Sequence, residues 1–241
     1  MKKFIYVILF ITNIVVTYSL NFSVVPTRYE VELTKVSTNE IYITNNTTEP
    51  MRLEAYIEGD KRFGESYNLN DDIVIFPKKI FIKPGGRQTV RFRVKPNSKY
   101  IDGEYKSYIV FKEVPYEIKN GDKNSNLTNV SLITEIGVPI YGTKGESVIT
   151  NKIDKIIVKR GQKNILVQIN LENTGNTSSK FSYEIVSKRS ITGLKGKIGM
   201  SAREGKFSIN TEIPIPKELY NQKIKLLIKD QNDKVYYSNT I

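Results

Sequence analysis

Hydrophobic and polar residues alternate along most of this chain with a period of two. That is the pattern of half-buried β-strands. In the first half the alternation predicts strands near 23–34, 39–44, 51–58, 73–76, 79–83, 88–94, 105–113 and 128–141. The turn-rich stretches "ITNNTTEP" (43–50) and "KPGG" (83–86) separate them, and "IKNGDKNSN" (118–126) reads as a loop. Eight short strands in about 120 residues predict a sandwich of immunoglobulin-like topology. The second half repeats the style in "NILVQINLEN" (164–173), "KFSYEIVS" (180–187), "GKIGMS" (196–201), "GKFSINTEI" (205–213), "KIKLLIKD" (223–230) and "KVYYSN" (234–239). Pro214 and Pro216 confine "IPIP" to an edge or a loop, and "KDQND" (229–233) sits at a hairpin. No convincing helical period is present after the first residues. The predicted fold class is therefore all-β, two immunoglobulin-like β-sandwiches in tandem. The first spans 21–144 and the second 145–241, joined near "GTKGES" (142–147).

The opening residues "MKKFIYVILFITNIVVTYSLNFS" break the alternation. Lys2 and Lys3 precede a mostly apolar run from Phe4 to Val16, and Thr17 and Ser19 suit the small positions of a cleavage site. This predicts a signal peptide over residues 1–20. The competing reading is an uncleaved anchor, against which stands an apolar run shorter than the roughly 20 residues of a span. No second apolar segment follows, so no integral membrane segment is expected after cleavage.

Composition narrows the chemistry. The chain has no His, no Cys and no Trp. Imidazole bases, Ser-His and Cys-His dyads, disulfides and thiolate metal sites are thereby excluded. Carboxylate-only catalysis remains formally open, but no paired-acid motif argues for it. A non-enzymatic role without metal or cofactor is expected. The net charge is +12, unevenly placed: residues 21–145 carry 18 basic and 16 acidic residues, residues 146–241 carry 17 and 9. The excess in the second half reads either as solubility or as a surface for an anionic envelope partner. No nucleic-acid motif is visible.

Two strands carry candidate chemistry. In "VRFRV" (90–94), Val90, Phe92 and Val94 share one face and Arg91 and Arg93 the other. Arg91 is expected to find Glu113 of "YIVFKEVP" as a partner. In "NVSLITEIGVPIYG" (129–142), Val130, Leu132, Thr134, Ile136, Val138 and Ile140 line one face. Such a strand is either an ordinary core strand or an edge that lends its apolar face to another protein. Arg28 in "VVPTRYEVEL" is a surface residue or a cationic anchor in a cleft.

Five stretches, in order, resemble the periplasmic pilus-assembly chaperones, the PapD-like family: "PTRYEVEL", "IYITNNTTEPMRLEAYIEG", "IFPKKIFIKPGGRQTVRF", "DGEYKSYIVFKEVP" and "LITEIGVPIYG". The resemblance covers about residues 22–142. It implies a periplasmic, non-enzymatic chaperone that binds and caps fimbrial or pilus subunits by β-strand donation. An outer-membrane usher is implied as a further partner. Arg28 would anchor a subunit's terminal carboxylate, and Arg91 and Glu113 would form the internal salt bridge. Thr128, Val130, Leu132, Thr134 and Ile136 would fall on the donor strand. The family's cleft lysine on that strand is replaced by Gly137, and Lys144 lies several residues beyond. That departure leaves an alternative: a structural or adhesive envelope protein on the same scaffold, with the basic second half as its binding surface.

Overall fold

A computed structural model describes residues 20–115, 132–187 and 193–241. The first part of the chain forms β1 (Phe22–Val25), β2 (Tyr29–Glu32), β3 (Ser37–Asn45), β4 (Met51–Gly59), β5 (Ile73–Phe76), β6 (Lys79–Ile82), β7 (Arg87–Val94), β8 (Gly103–Glu113) and β9 (Glu135–Lys144). They build two sheets, ordered β1-β3-β7-β5 and β2-β9-β8-β4-β6. The alternating apolar residues meet between them: Ile41, Ile43, Leu53, Phe92, Ile109, Phe111 and Ile140 are all essentially inaccessible. Their removal from water is the main force holding the sheets face to face.

The stretch expected to be one long strand, 23–34, is divided between the two sheets. β1 pairs antiparallel with β3, while β2 pairs parallel with β9. The chain crosses over at Pro26, Thr27 and Arg28. Pro26 has no N–H to give a ladder, so it falls naturally at the crossing. The division matters for the site below, because β2 covers only the second half of β9.

The "KPGG" turn is built as its residues require. Gly85 has φ +62°, the left-handed region that glycine occupies without cost, and Gly86 N–H donates to the Lys83 carbonyl at 2.9 Å. Beside it Asn45 is fully buried at the end of β3. Its amide donates to the Glu49, Ile82 and Lys83 carbonyls, and its oxygen accepts from the Thr47 N–H and hydroxyl. A buried amide left unpaired would cost about 1–3 kcal/mol, so this side chain ties two turns together.

The second part forms β10 (Asn151–Arg160), β11 (Asn164–Asn173), β12 (Lys180–Val186), β13 (Leu194–Met200), β14 (Gly205–Pro214), β15 (Lys225–Asp230) and β16 (Val235–Thr240). The sheets are β10-β11-β14 and β13-β12-β15-β16. A separate core of Ile165, Val167, Ile169, Leu171, Phe181, Ile185, Leu226 and Ile228 lies between them. Pro214 closes β14, an edge strand. Asn173 repeats the device of Asn45: it is buried at the end of β11 and bonds the Thr177 and Ala202 carbonyls and the Gly175 N–H.

The two sandwiches are joined by polar contacts as well as by the chain. Arg203 lies in the segment between β13 and β14 and is 2% exposed. Its guanidinium carbon sits 3.8 Å from the Tyr67 ring centroid, and it donates to the Glu104 and Asp102 carbonyls at 3.2 and 3.1 Å. The Glu104 carboxylate accepts from Ser178 N–H at 2.8 Å. Gly103, with φ +127°, lets the start of β8 approach the β11–β12 connection this closely; a Cβ there would lie 2.5 Å from the Asn176 carbonyl oxygen.

Candidate functional site

The outer face of the five-stranded sheet looks toward the second sandwich. In β8, Tyr105, Ile109 and Phe111 point inward, so Lys106 and Tyr108 project from the outer face. In β9, Val138 and Ile140 point inward, which leaves Gly137, Pro139 and Tyr141 outward. Arg28 stands at the entry to β2. From the other sandwich, Ala202 and Met200 pack on Tyr141, and Phe63 completes the cluster. The Tyr141 hydroxyl contacts the Met200 sulfur at 3.8 Å. The result is a buried aromatic cluster in the cleft where the two bodies meet, with partly exposed Arg28 beside it.

Two cations flank the Tyr141 ring. The Arg28 guanidinium carbon is 4.0 Å from its centroid and the Lys106 ammonium 4.9 Å. Their circumstances differ. Lys106 is buried, and its ammonium donates to Asp60 Oδ2 at 2.7 Å. Asp60 also accepts from the Arg62 guanidinium at 2.9 and 3.2 Å, from Arg62 N–H at 3.0 Å and from the Tyr108 hydroxyl at 3.1 Å. Burial alone would push the Asp60 carboxyl up, but the hydrogen bonds from Arg62 and Lys106 outweigh it and hold it well below the usual carboxylate range. Burial likewise pushes Lys106 down, and its bonds to Asp60 and the neighbouring tyrosines carry it above its ordinary value instead. Arg28 is a third exposed, pairs only with the exposed Glu30, and keeps a buried Nε with no hydrogen-bond partner among the described residues.

β9 is the second element of the site. β2 pairs with it from Ile140 to Thr143. Glu135 to Pro139 therefore have β8 on one side and no paired strand on the other among the described residues. The apolar row climbs out of the core along this open stretch. Ile140 is 0% and Val138 1% exposed, Ile136 is partly buried against the core, and Leu132 is 84% exposed. Thr134 lies just before β9, where its N–H and carbonyl meet the Glu113 carboxylate and N–H. Thr128 and Val130 lie outside the described residues, as do residues 1–19 of the expected signal segment.

The expected pairing of Arg91 with Glu113 is not what the structure shows. Arg91 Nε donates to Glu40 at 2.8 Å, its direct cross-strand neighbour on β3. Glu113 belongs to the other sheet, where its carboxylate accepts from the Asn21 side chain at 2.9 Å and from Thr134 N–H. Arg91 projects from the solvent face of its sheet, and the sandwich core separates that face from Glu113. Gly137 stands against Tyr108, where a Cβ would lie a tight 3.3 Å from the ring. The missing cleft lysine is thus not replaced at that point. The buried lysine of the cleft is Lys106, one strand away, which sequence reasoning did not single out. Its signal was present: a lysine between two tyrosines in "YKSY", on the face away from the core.

Residues 21–140 match the family described as pili and flagellar-assembly chaperone, PapD N-terminal domain. No curated protein matches the chain in sequence. Among solved structures, the chain resembles one from a chaperone–tip adhesin complex of CFA/I fimbriae biogenesis at 14% identity and TM-score 0.50, over 92% of this chain and 97% of that one. It resembles the YadV chaperone at 10% identity and TM-score 0.50, over 92% of this chain and 100% of that one. At these identities the likeness is one of fold, and it spans both sandwiches. Through its first sandwich, the chain belongs to the PapD-like pilus-assembly chaperones.

Proposed function

We propose that this protein is an exported, non-enzymatic chaperone that caps fibre subunits in the periplasm by lending them β9 and the residues before it. The open edge of β9 beside a row of apolar side chains that leaves its own core is the observation that carries this reading. Such an edge supplies main-chain hydrogen bonds, and alternate side chains supply pocket fillers. Val130, Leu132 and Ile136 act as donor residues, with Thr128 and Thr134 alongside them, and Arg28 meets a terminal carboxylate in the cleft. An usher that accepts the loaded chaperone is the natural second partner. Replacing Val130 and Leu132 together with Asp is expected to abolish co-purification of fibre subunits while leaving the melting temperature of the chaperone unchanged. Undiminished subunit recovery from that variant would sink the donor assignment.

A second reading, adhesion to an anionic envelope surface, draws on the outer face of the β13-β12-β15-β16 sheet. There Lys195, Lys197, Lys225 and Lys229 surround one carboxylate, Glu184, which pairs with Lys195 and Lys229. This reading expects the chain to sediment with phosphatidylglycerol vesicles at low salt and to release as salt rises, because screening weakens exposed charge contacts. No sedimentation with those vesicles at 50 mM or lower salt, an arbitrary low value of roughly one-third physiological strength, removes it.

A further inference from the structure

Asp60 does something the donor reading does not explain. A buried carboxylate with five donors on it is itself a bound carboxylate, supplied by the chain in place of a ligand. It uses the ammonium of Lys106, the hydroxyl of Tyr108 and the guanidinium of Arg62. Lys106 and Arg28 both stand against the Tyr141 ring, at 4.9 and 4.0 Å, and Asp60 occupies the first of these two cations. Arg28 is held differently: its partner Glu30 is exposed and solvent-screened, and its Nε is unused.

We infer that Asp60 is a specificity-determining residue that withdraws Lys106 from ligand binding, leaving Arg28, stacked on Tyr141, as the cleft cation available to a client's carboxylate. This rests on the chaperone reading for the identity of the client, though the charge assignment does not. Two consequences follow. A client's carboxylate terminus is then met by one guanidinium, which already gives one N–H to Glu30, rather than by a two-cation clamp. The attachment then rests more heavily on backbone pairing along β9 than on charge in the cleft. The glycine at position 137 and the ion-paired lysine at 106 work in the same direction.

The test uses acetate as the carboxylate and acetamide as its neutral control. Met200 touches the Tyr141 hydroxyl, so its ¹³C-labelled methyl group reports on the cleft by NMR. Met51, buried in the first core, serves as the internal reference. In the wild-type full chain, acetate shifts the Met200 signal weakly, and the response disappears in Arg28→Leu. In Asp60→Asn the same shift occurs at about tenfold lower acetate or less, since a second, desolvated cation is now free. The gain is lost in Asp60→Asn/Lys106→Leu, and acetamide moves nothing in any variant. Asp60→Asn binding acetate no more tightly than wild type overturns the inference. So does an undiminished Met200 response in Arg28→Leu, a measurement that stands even if Asp60→Asn does not fold. Loss of subunit capture in the donor-strand variant bears on the chaperone reading alone, so the two failures can be told apart.

Discussion

Replacing Arg203 with Ala is expected to lower the stability of the protein by about 2–4 kcal/mol, read as a clear fall in melting temperature. The side chain is fully buried, so truncation opens a cavity at the junction of the two sandwiches. It also leaves the Asp102 and Glu104 carbonyls without their donors and removes the cation from the Tyr67 and Tyr105 faces. Arg203→Lys is expected to recover little of this. A point charge cannot both lie flat on Tyr67 and reach two carbonyls. Small-angle scattering should show the two bodies losing their fixed orientation in Arg203→Ala. An unchanged melting curve would mean that the chain connection and the Phe63–Tyr141–Ala202 cluster alone hold the junction.

Asp60→Ala is expected to cost about 3–5 kcal/mol, because it leaves the Lys106 charge buried with no counter-charge. The variant should also change the acid limb of the stability profile. The Asp60 carboxyl is held below its ordinary value in the folded protein. Its contribution is therefore complete above the unfolded-state value near pH 4 and is lost progressively as pH falls below it. Wild type should lose stability steeply below about pH 4, and Asp60→Ala more gently over the same range. Urea unfolding at a series of acid pH values measures this directly. Parallel profiles for the two proteins would show that Asp60 carries no special share of acid stability. Asp60→Leu/Lys106→Met should be much less damaging than Asp60→Ala, since a buried pair replaced by apolar groups removes the orphaned charge.

How far these sites could be read in advance depended on the kind of information each needs. Alternation identifies which residues of a strand share a face, so the buried sets Val90, Phe92 and Val94, or Val138 and Ile140, were legible directly. Alternation does not say which strand lies next door. That is why Arg91 was matched to Glu113 when its neighbour is Glu40. Strand β10 was not anticipated at all. In "NKIDKIIVKR" the charged residues interrupt the period, and a bulge between Ile153 and Lys155 shifts it. Asp60 and Lys106 are 46 residues apart, and each alone reads as an ordinary surface charge. Arg203 in "SAREG" sits in the short connection between β13 and β14, and it is buried by the docking of two separate sandwiches, which no local pattern encodes.

The charge pattern of the cleft has a consequence for how a bound partner could be let go. The chain contains no histidine, Asp60 stays ionised well below neutrality, and Lys106 is held above its ordinary value. Neither member of that pair changes protonation between about pH 5 and 9. A compartment open to the outside medium follows the acidity around it, and this pair would not register the change. A proton acting on this pair therefore cannot time the release of a partner.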